Sequence, residues 1–369
     1  MTEKKRVLIP GGAGYIGSHV ALTVLNTRKF RVTIIDNFHN SKPEAVHRIE
    51  ELALRELPSD ASEQDKADCR IELVMADLRN PRAVENVFKD RSEHDRIHSV
   101  ILIGALKAVG ESAEIPIDYY NVNVGGLLNL LSAMDKYDAR RLVYSSSATV
   151  YGAPETIPIP ETTPMDPHSP YGRSKQICEM IIRDVCASNP AWRAITLRYF
   201  NPAGAHPSGR MGEDPRGKPG NLLPLLAQMA VGKYREPGLK VFGNDYPTPD
   251  GTCVRDYIHI LDLAEGHLNA MVALDDDTKF ADAKYGKCRA FNLGKGVGMS
   301  VLSMIEAMRK VTGYEFPYEI VARRPGDVPD LTANPALAER ELGFKATRSL
   351  DDMCSDLWNW QKLNPNGYD

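Results

Sequence analysis

The stretch "SPYGRSK", Ser169 to Lys175, sets a tyrosine and a lysine four residues apart in the opening turns of a helical pattern. At that spacing Tyr171 and Lys175 share one helix face. Two residues alone describe a solvated surface pair as well as they describe chemistry. The chemical alternative is proton transfer by a phenol. A tyrosine is a weak base at its ordinary pKa of about 10. An ammonium one turn away, joined by a second positive charge, favours the phenolate. Such a phenolate can take a proton from a hydroxyl group.

A second pattern supplies that second charge. "LIPGGAGYIGSH" follows an apolar run and opens a helical one. Gly12, Gly14 and Gly17 fit G-x-G-x-x-G, and Gly11 adds G-x-x-G-x-x-G. Such glycines let backbone N–H groups approach a pyrophosphate at a helix N-terminus. Asp36 ends the next apolar run nineteen residues after Gly17. A carboxylate there accepts hydrogen bonds from an adenosine ribose and repels a 2′-phosphate, and no arginine follows in "DNFHNS". The dinucleotide is therefore expected to be NAD, not NADP. The plain alternative is a glycine turn beside a solvated aspartate. Asp77, in "ADLRN", stands where an adenine could be touched.

With a nicotinamide in place, Tyr171 can deprotonate a sugar hydroxyl while hydride leaves the same carbon for NAD, and Lys175 can also bind the nicotinamide ribose. Ser147, in the run "YSSSATVYG", can relay or orient the proton. That run also reads as a strand end making local backbone bonds.

These residues need a scaffold. "RVLIP" (6–10), "RVTIID" (31–36), "IELVMA" (71–76), "HSVILIG" (98–104) and "RLVYSSS" (141–147) read as strands, and continuous runs such as "VILI" suit parallel strands covered on both faces. Helical patterns alternate with them, which predicts a doubly wound α/β sheet. Ligands bind such sheets at the carboxyl edge, where the serine run ends. Residues 57–70 are polar and read as a surface loop. "NPAGAHPSGRMGEDPRGKPGN" (201–221) is rich in Pro and Gly, and its length suggests a lid or binding loop. The organisation expected is an NAD-binding domain over 1–200, with parts of about 250–292 returning to it, and a smaller, more mixed domain over 201–369. No internal repeat is visible.

The 369 residues can bury a large core, and 43% hydrophobic with 25% charged residues is an ordinary globular composition. The net charge of −4 argues against a nucleic-acid surface. No apolar run approaches the ~20 residues that span a bilayer, and the strand-like N-terminus leaves no room for a signal peptide. Six cysteines (69, 178, 186, 253, 288, 354) are scattered without CxxC spacing, and no Asn-x-Ser/Thr sequon occurs. Reduced thiols, no metal site and a cytoplasmic location are expected.

"GGAGYIGSH", "LKAVGES", "SSSATVYG", "SPYGRSK", "LRYFNPAGAHPSG", "MGEDP", "VRDYIH" and "RRPGD" resemble the extended short-chain dehydrogenase/reductase family, and within it the UDP-glucose 4-epimerases. The resemblance runs from about residue 6 to "NPNGYD". It implies a Rossmann-type sheet with a smaller mixed α/β C-terminal domain, making 201–369 the UDP-sugar-binding domain, a retained NAD and a homodimer formed through helices of the NAD domain. It also implies interconversion of UDP-galactose and UDP-glucose through a 4-keto sugar that turns over and takes its hydride back. Tyr171 would be the base, Ser147 its partner and Lys175 its electrostatic support. Carried onto this chain, the cofactor contacts would be Gly11, Gly14, Tyr15, Ile16, Gly17, Asp36, Asn37, Phe38, His39, Asn40, Ser41, Asp77, Leu78, Ile103, Lys107, Asn123, Tyr171, Lys175 and Tyr199. The UDP-sugar contacts would be Ser147, Ala148, Thr149, Tyr199, Phe200, Asn201, Asn221, Leu222, Lys240, Val241, Phe242, Arg255, Val301, Arg324, Asp327 and Leu331. Arg255 and Arg324 can clamp a diphosphate, and Phe242 can pack on uracil.

Four positions depart from the family pattern: Pro10 replaces a threonine, Leu102 and Ile103 stand where the family has an aromatic-containing run, and Leu331 replaces a tyrosine or a smaller residue beside the sugar. By the same resemblance, Leu331 leaves part of the room that an N-acetyl group needs. Related 4,6-dehydratases and decarboxylases need an acid after the serine run, where this chain has Ala148 and Thr149. A non-catalytic NAD-sensing protein would have no use for the Tyr171–Lys175 pair. No appended mutarotase domain is expected.

Overall fold

The computed structural model describes residues 4–217, 219–234, 238–281, 283–324 and 327–369. The first unit runs β1 (Lys5–Pro10), α1 (Tyr15–Asn26), β2 (Phe30–Asp36), α2 (Pro43–Arg55), α3 (Glu63–Asp68), β3 (Glu72–Met75), α4 (Pro81–Phe88) and β4 (Ile97–Leu102). It continues with α5 (Val109–Glu114), α6 (Pro116–Tyr119), α7 (Gly126–Lys136), β5 (Arg141–Ser147), α8 (Pro170–Ser188) and β6 (Arg193–Tyr199). The second half holds β7 (Asn201–Ala203), α9 (Leu222–Ala230), β8 (Leu239–Phe242), β9 (Val254–His259), α10 (Ile260–Ala273) and β10 (Cys288–Leu293). It closes with β11 (Gly298–Ser300), α11 (Val301–Thr312), β12 (Tyr318–Val321), β13 (Asp330–Leu331), α12 (Ala336–Leu342) and α13 (Leu350–Leu363).

Seven strands form one parallel sheet in the order β10-β6-β5-β4-β1-β2-β3. Alternate residues of each strand face opposite sides. Val7 and Ile9 enter the core shared with α1, α2 and α10, while Leu8 enters the core shared with α4, α7 and α8. Each fully buried aliphatic side chain contributes ~1.5–3 kcal/mol of transfer free energy, so the double covering explains the long apolar runs. The order reverses between β1 and β4, which opens a crevice at their carboxyl ends. Late sequence completes this unit: α10 packs on α1, and β10 pairs with β6.

The second unit is built on β9, flanked by β7, β11 and β13, with a separate parallel β8–β12 pair. Helices α9, α11 and α13 bury Leu226, Met304, Met308, Leu357 and Trp360 between them.

Two local readings change. Residues 63–68 of the polar stretch are a helix, because Ser62 and Asp65 form a capping box that satisfies the orphan N–H groups at its start. Residues 201–203 are a strand, because β9 supplies the ladder partner that local composition cannot reveal. The run before α7 also departs from a continuous helix: Tyr120–Gly125 is a π-helical turn.

Candidate active site

The glycine turn closes on the reversal point of the sheet. Gly11 has φ of +80°, and any Cβ there would collide with Gly104. A Cβ on Gly17 would collide with the Gly11 carbonyl. Both positions need glycine for close approach, not for flexibility. Gly14 is the N-cap of α1 and supplies no side-chain cap. The leading N–H groups of α1 are thus available to an anion. Ile103 and Gly104 donate to the Pro10 carbonyl at 3.0 and 2.8 Å, tying the loop after β4 to β1.

Asp36, nearly buried, accepts from Ala13 N at 3.1 Å, Phe38 N at 2.9 Å and Ser41 Oγ at 2.8 Å. It therefore holds the glycine turn and the 37–41 loop in one arrangement. Asn37 Nδ2 donates to Asp77 at 2.8 Å. Paired hydrogen bonds from Arg79 hold the Asp77 carboxyl well below the usual carboxylate range. Tyr15 donates to the Gly204 carbonyl at 2.7 Å, Asn40 accepts from Arg216 N at 3.1 Å, and Lys107 meets Glu213 at 3.0 Å. Ile16 packs on the sheet core, and Leu78 packs on the other face. His39 N is capped by the Asn37 side chain at 3.0 Å. Asn123 commits its amide to Leu106 and Ser174, so this side chain fixes the loop after β4 against α8. The uncapped α1 terminus beside the Asp36 carboxylate suits NAD chemically.

Ser169 caps α8 by accepting from Gly172 N at 3.1 Å, with Pro170 in the first turn. Tyr171 and Lys175 then lie one turn apart on its buried face, 8% and 3% exposed. Lys175 Nζ donates to the Ser145 carbonyl at 2.7 Å and lies 5.9 Å from the Tyr171 ring centroid. Burial depresses Lys175 to about 8. Burial raises the Tyr171 phenol, opposed by a hydrogen bond with Ser147. Burial thus favours the neutral phenol, and the Ser147 hydrogen bond works against it. Ser147 also accepts from Thr149 N and Oγ1 at 3.2 and 3.0 Å. Tyr199 pairs with Ser147 across β5–β6, and its hydroxyl is raised by burial.

The sequence reading missed the layer beneath. Glu179 accepts from Arg198 at 2.9 and 2.6 Å and from Ser146 Oγ at 2.6 Å. Burial opposes its ionisation, but Arg198 holds its pKa below the ordinary value. Arg198 also donates to Tyr151 Oη at 3.0 Å, and Tyr151 donates to Asn292 at 2.6 Å. An arginine inside "ITLRYF" and a glutamate one turn beyond Lys175 were the available signals.

On the second unit, β9 gathers the candidate sugar-nucleotide residues. Leu331 and Met299 both stand opposite Arg255. Arg255 donates to Val254 and Val328 carbonyls at 2.7 and 2.9 Å and reaches Asp327 at 3.4 Å. Asn201 Nδ2 donates to the Asp256 carbonyl at 3.0 Å. The Arg324 guanidinium lies 4.3 Å from the Phe242 ring centroid, so it covers one ring face. Asn221 begins α9 without a side-chain cap, with Leu222 as its first residue, and Val301 begins α11. Lys240 is exposed on β8, whereas Val241 points into the second core. Leu331 packs against the cluster of Ala148, Val150, Tyr151, Ile159, Phe200 and Ala333. It therefore borders the end of β5 that carries Ser147. Pro325 and Gly326 of "RRPGD" lie outside the described residues. Among the described residues, no cluster of three His, Cys, Asp or Glu could hold a metal, no helix is long and apolar enough to cross a membrane, and all six cysteines are free and buried.

A charged Lys175 costs stability in full below about pH 8, and the cost fades as pH rises toward the ordinary lysine value of ~10.4. Lys175→Met is expected to raise the Tm of nucleotide-stripped protein at about pH 7, with the gain shrinking above about pH 8. A gain that stays constant up to about pH 10, measured by calorimetry, would contradict the buried-charge account.

The chain matches the family described as GDP-mannose 4,6 dehydratase over residues 8–357. It is 48% identical to the UDP-glucose 4-epimerase of Dictyostelium discoideum over 98% of this chain and 97% of that one. Its fold is similar to the crystal structure of UDP-glucose 4-epimerase from Bifidobacterium longum in complex with NAD+ and UDP, with TM-score 0.85, 42% identity, and 98% and 100% of the two chains covered. It is also similar to the UDP-Glc/GlcNAc 4-epimerase of Campylobacter jejuni, with TM-score 0.78, 32% identity, and 97% and 99% covered. The chain belongs to the UDP-glucose 4-epimerase family of the extended short-chain dehydrogenases/reductases.

Proposed function

We propose that this protein interconverts UDP-galactose and UDP-glucose with NAD, the seven-stranded unit holding the cofactor and the smaller unit the UDP-sugar. The observation that carries the reading is the burial of Tyr171 and Lys175 on one face of α8, with Ser147 at the end of β5. Bound NAD supplies a hydride acceptor and donor, and its positive ring supplies the charge that favours a Tyr171 phenolate. Tyr171 then takes the proton of the sugar 4-hydroxyl and returns it after the 4-keto sugar has turned over, leaving no net redox change. Ser147 orients that proton, and Lys175 holds positive charge beside the ring. Water exclusion at these residues strengthens each electrostatic contact. The dehydratase reading lacks its acid: Ala148 sits in an apolar cluster and Thr149 donates its hydroxyl to Ser147. Arg255 and Arg324 are proposed to meet the diphosphate, as cations carried on neighbouring strands and loops of the smaller unit.

The apolar side chains of Val109, Ile117 and Met180 are 49%, 73% and 53% exposed on α5, α6 and α8, which pack together. We take this face as the homodimer contact. Sedimentation equilibrium is expected to give twice 40.9 kDa, and a Met180→Lys, Ile117→Lys double variant the single mass. A wild-type monomer at micromolar concentration would remove the dimer. Free thiols suit a cytoplasmic location, and finding the protein in an oxidising compartment on cell fractionation would contradict it.

Tyr171→Phe deletes only the proton-carrying oxygen. It is expected to lower UDP-galactose turnover at least ~10²-fold while NAD content stays unchanged. Turnover within a few-fold of wild type would exclude Tyr171 as the base.

Leu331 borders Ala148 and Phe200, and the proposal gives its volume control of the space beside the sugar. A leucine is smaller than a tyrosine, and pockets that differ by a few carbons discriminate by ~1–3 kcal/mol. The protein is expected to epimerise UDP-N-acetylglucosamine, less well than UDP-glucose. Leu331→Tyr is expected to suppress the acetylated substrate and largely spare the simple one. An unchanged ratio of kcat/KM values between the two substrates would remove Leu331 as the gate.

A further inference from the structure

Residues 204–216 touch three of the segments assigned to the cofactor. Gly204 accepts from Tyr15 beside the glycine turn. Glu213, nearly buried, pairs with Lys107 of the loop after β4 at 3.0 Å. Arg216 donates its N–H to Asn40 at 3.1 Å and its guanidinium to the Phe38 carbonyl at 2.8 Å, both in the loop that Asp36 organises. One segment thus joins the phosphate end, the ribose end and the β4 loop of the cleft.

The opposite side of this segment is gripped by the C-terminal residues. Tyr368 Oη bonds both Gly212 N and Gly212 O at 3.2 Å, and Tyr368 N donates to Asp214 at 3.1 Å. Trp360 Nε1 donates to the Glu213 carbonyl at 3.2 Å. The Tyr368 and Trp360 rings lie 4.7 Å apart. Arg48 of α2 lies 4.9 Å from the Tyr368 ring centroid and donates to the Arg210 carbonyl at 3.1 Å. Two glycines permit the fit, since a Cβ on Gly212 would enter the Trp360 ring and one on Gly367 would strike the Asp214 carboxylate. A long irregular segment has few ladder bonds of its own, so its order depends on such outside partners.

We infer that residues 204–216 form a strap across the cofactor cleft, and that Tyr368 is the clasp that keeps it shut and NAD retained. The inference rests on the cofactor reading above. It assigns Tyr368 to retention, not to chemistry, because its backbone and hydroxyl bond Asp214 and Gly212 of the strap, its hydroxyl also meets Ser18 of α1, and its ring packs on Trp360 and Arg48.

The test compares wild type, Tyr368→Ala and Tyr368→Phe, each loaded with NAD. Release of NAD into nucleotide-free buffer is timed, and trypsin cleavage after Arg210 or Arg216 is followed in parallel. Tyr368→Ala is expected to release NAD at least about tenfold faster, since differences of this kind fall mainly on the dissociation rate. Cleavage in the strap is expected to rise in step, and excess NAD to restore the wild-type kcat. Tyr368→Phe keeps the ring against Trp360 and Arg48 but loses the hydroxyl bonds to Gly212. It is expected to release NAD about threefold faster, so a poorly folded alanine variant leaves a second reading. Release within twofold of wild type for both variants overturns the clasp. So does faster release without faster cleavage, which would let NAD leave past a closed strap. A wild type that neither carries nor takes up NAD overturns the cofactor reading itself and the strap with it.

Discussion

A buried ammonium sets terms that the surrounding structure must meet. Lys175 is 3% exposed, and charge at such a position is costly unless it is paired or hydrogen-bonded. One strong bond to the Ser145 carbonyl, the nearby Tyr144 ring, 5.0 Å from Nζ, and the Glu179 carboxylate one turn on compensate it. That compensation needs α8 to sit against β5 in a single register. Cys178 and Ile182 on α8, packed with Leu142 and Tyr144 of β5, provide the apolar contact that fixes it. The same helix carries Tyr171 one turn earlier and Glu179 one turn later. Catalytic and structural polar groups therefore share one buried stripe, and neither set can shift without the other.

Loops around the cleft are held in a related way. They lack ladder partners, so buried carboxylates accept their N–H groups instead. Asp36 joins the glycine turn to the 37–41 loop. Asp256 accepts from Lys295, Gly296 and Ala333, joining the end of β10 to the strand that presents Leu331. Burial pushes Asp256 up to about 6 even so. Glu161 accepts from Asn292 N, and Asn292 donates to the Ile159 carbonyl. Arg198 and Tyr151 extend this network back to Glu179 beneath the serine run. Substrate-side strands are in this way tied to the catalytic helix through polar contacts in the protein interior.

Some of this was legible from residue types. Four of the five early strands follow from apolar runs, since a sheet covered on both faces leaves no polar side to interrupt them, and β3 at the exposed edge follows from its short apolar run alone. Tyr171, Lys175 and the glycine turn are local motifs, and each sits on an element that the local pattern also predicts. Helix α3 lies in a polar stretch with no apolar face, and the Ser62–Asp65 capping box is the local mark of its start. Arg198 and Glu179 were missed because a charge inside an apolar pattern acquires meaning only with its partner, nineteen residues away.

The sequence alone determined which groups can carry charge, which segments can be strands or helices, and where glycine is required. Those properties belong to single side chains and their near neighbours. Tertiary structure decided what they do to each other. It set Lys175 against a carbonyl of β5, turned Val241 inward, placed Leu331 beside Ala148 and Phe200, and brought Tyr368 onto Gly212. Contacts between residues 156 positions apart cost loop-closure entropy and form only when the whole core is in place. No local pattern encodes them.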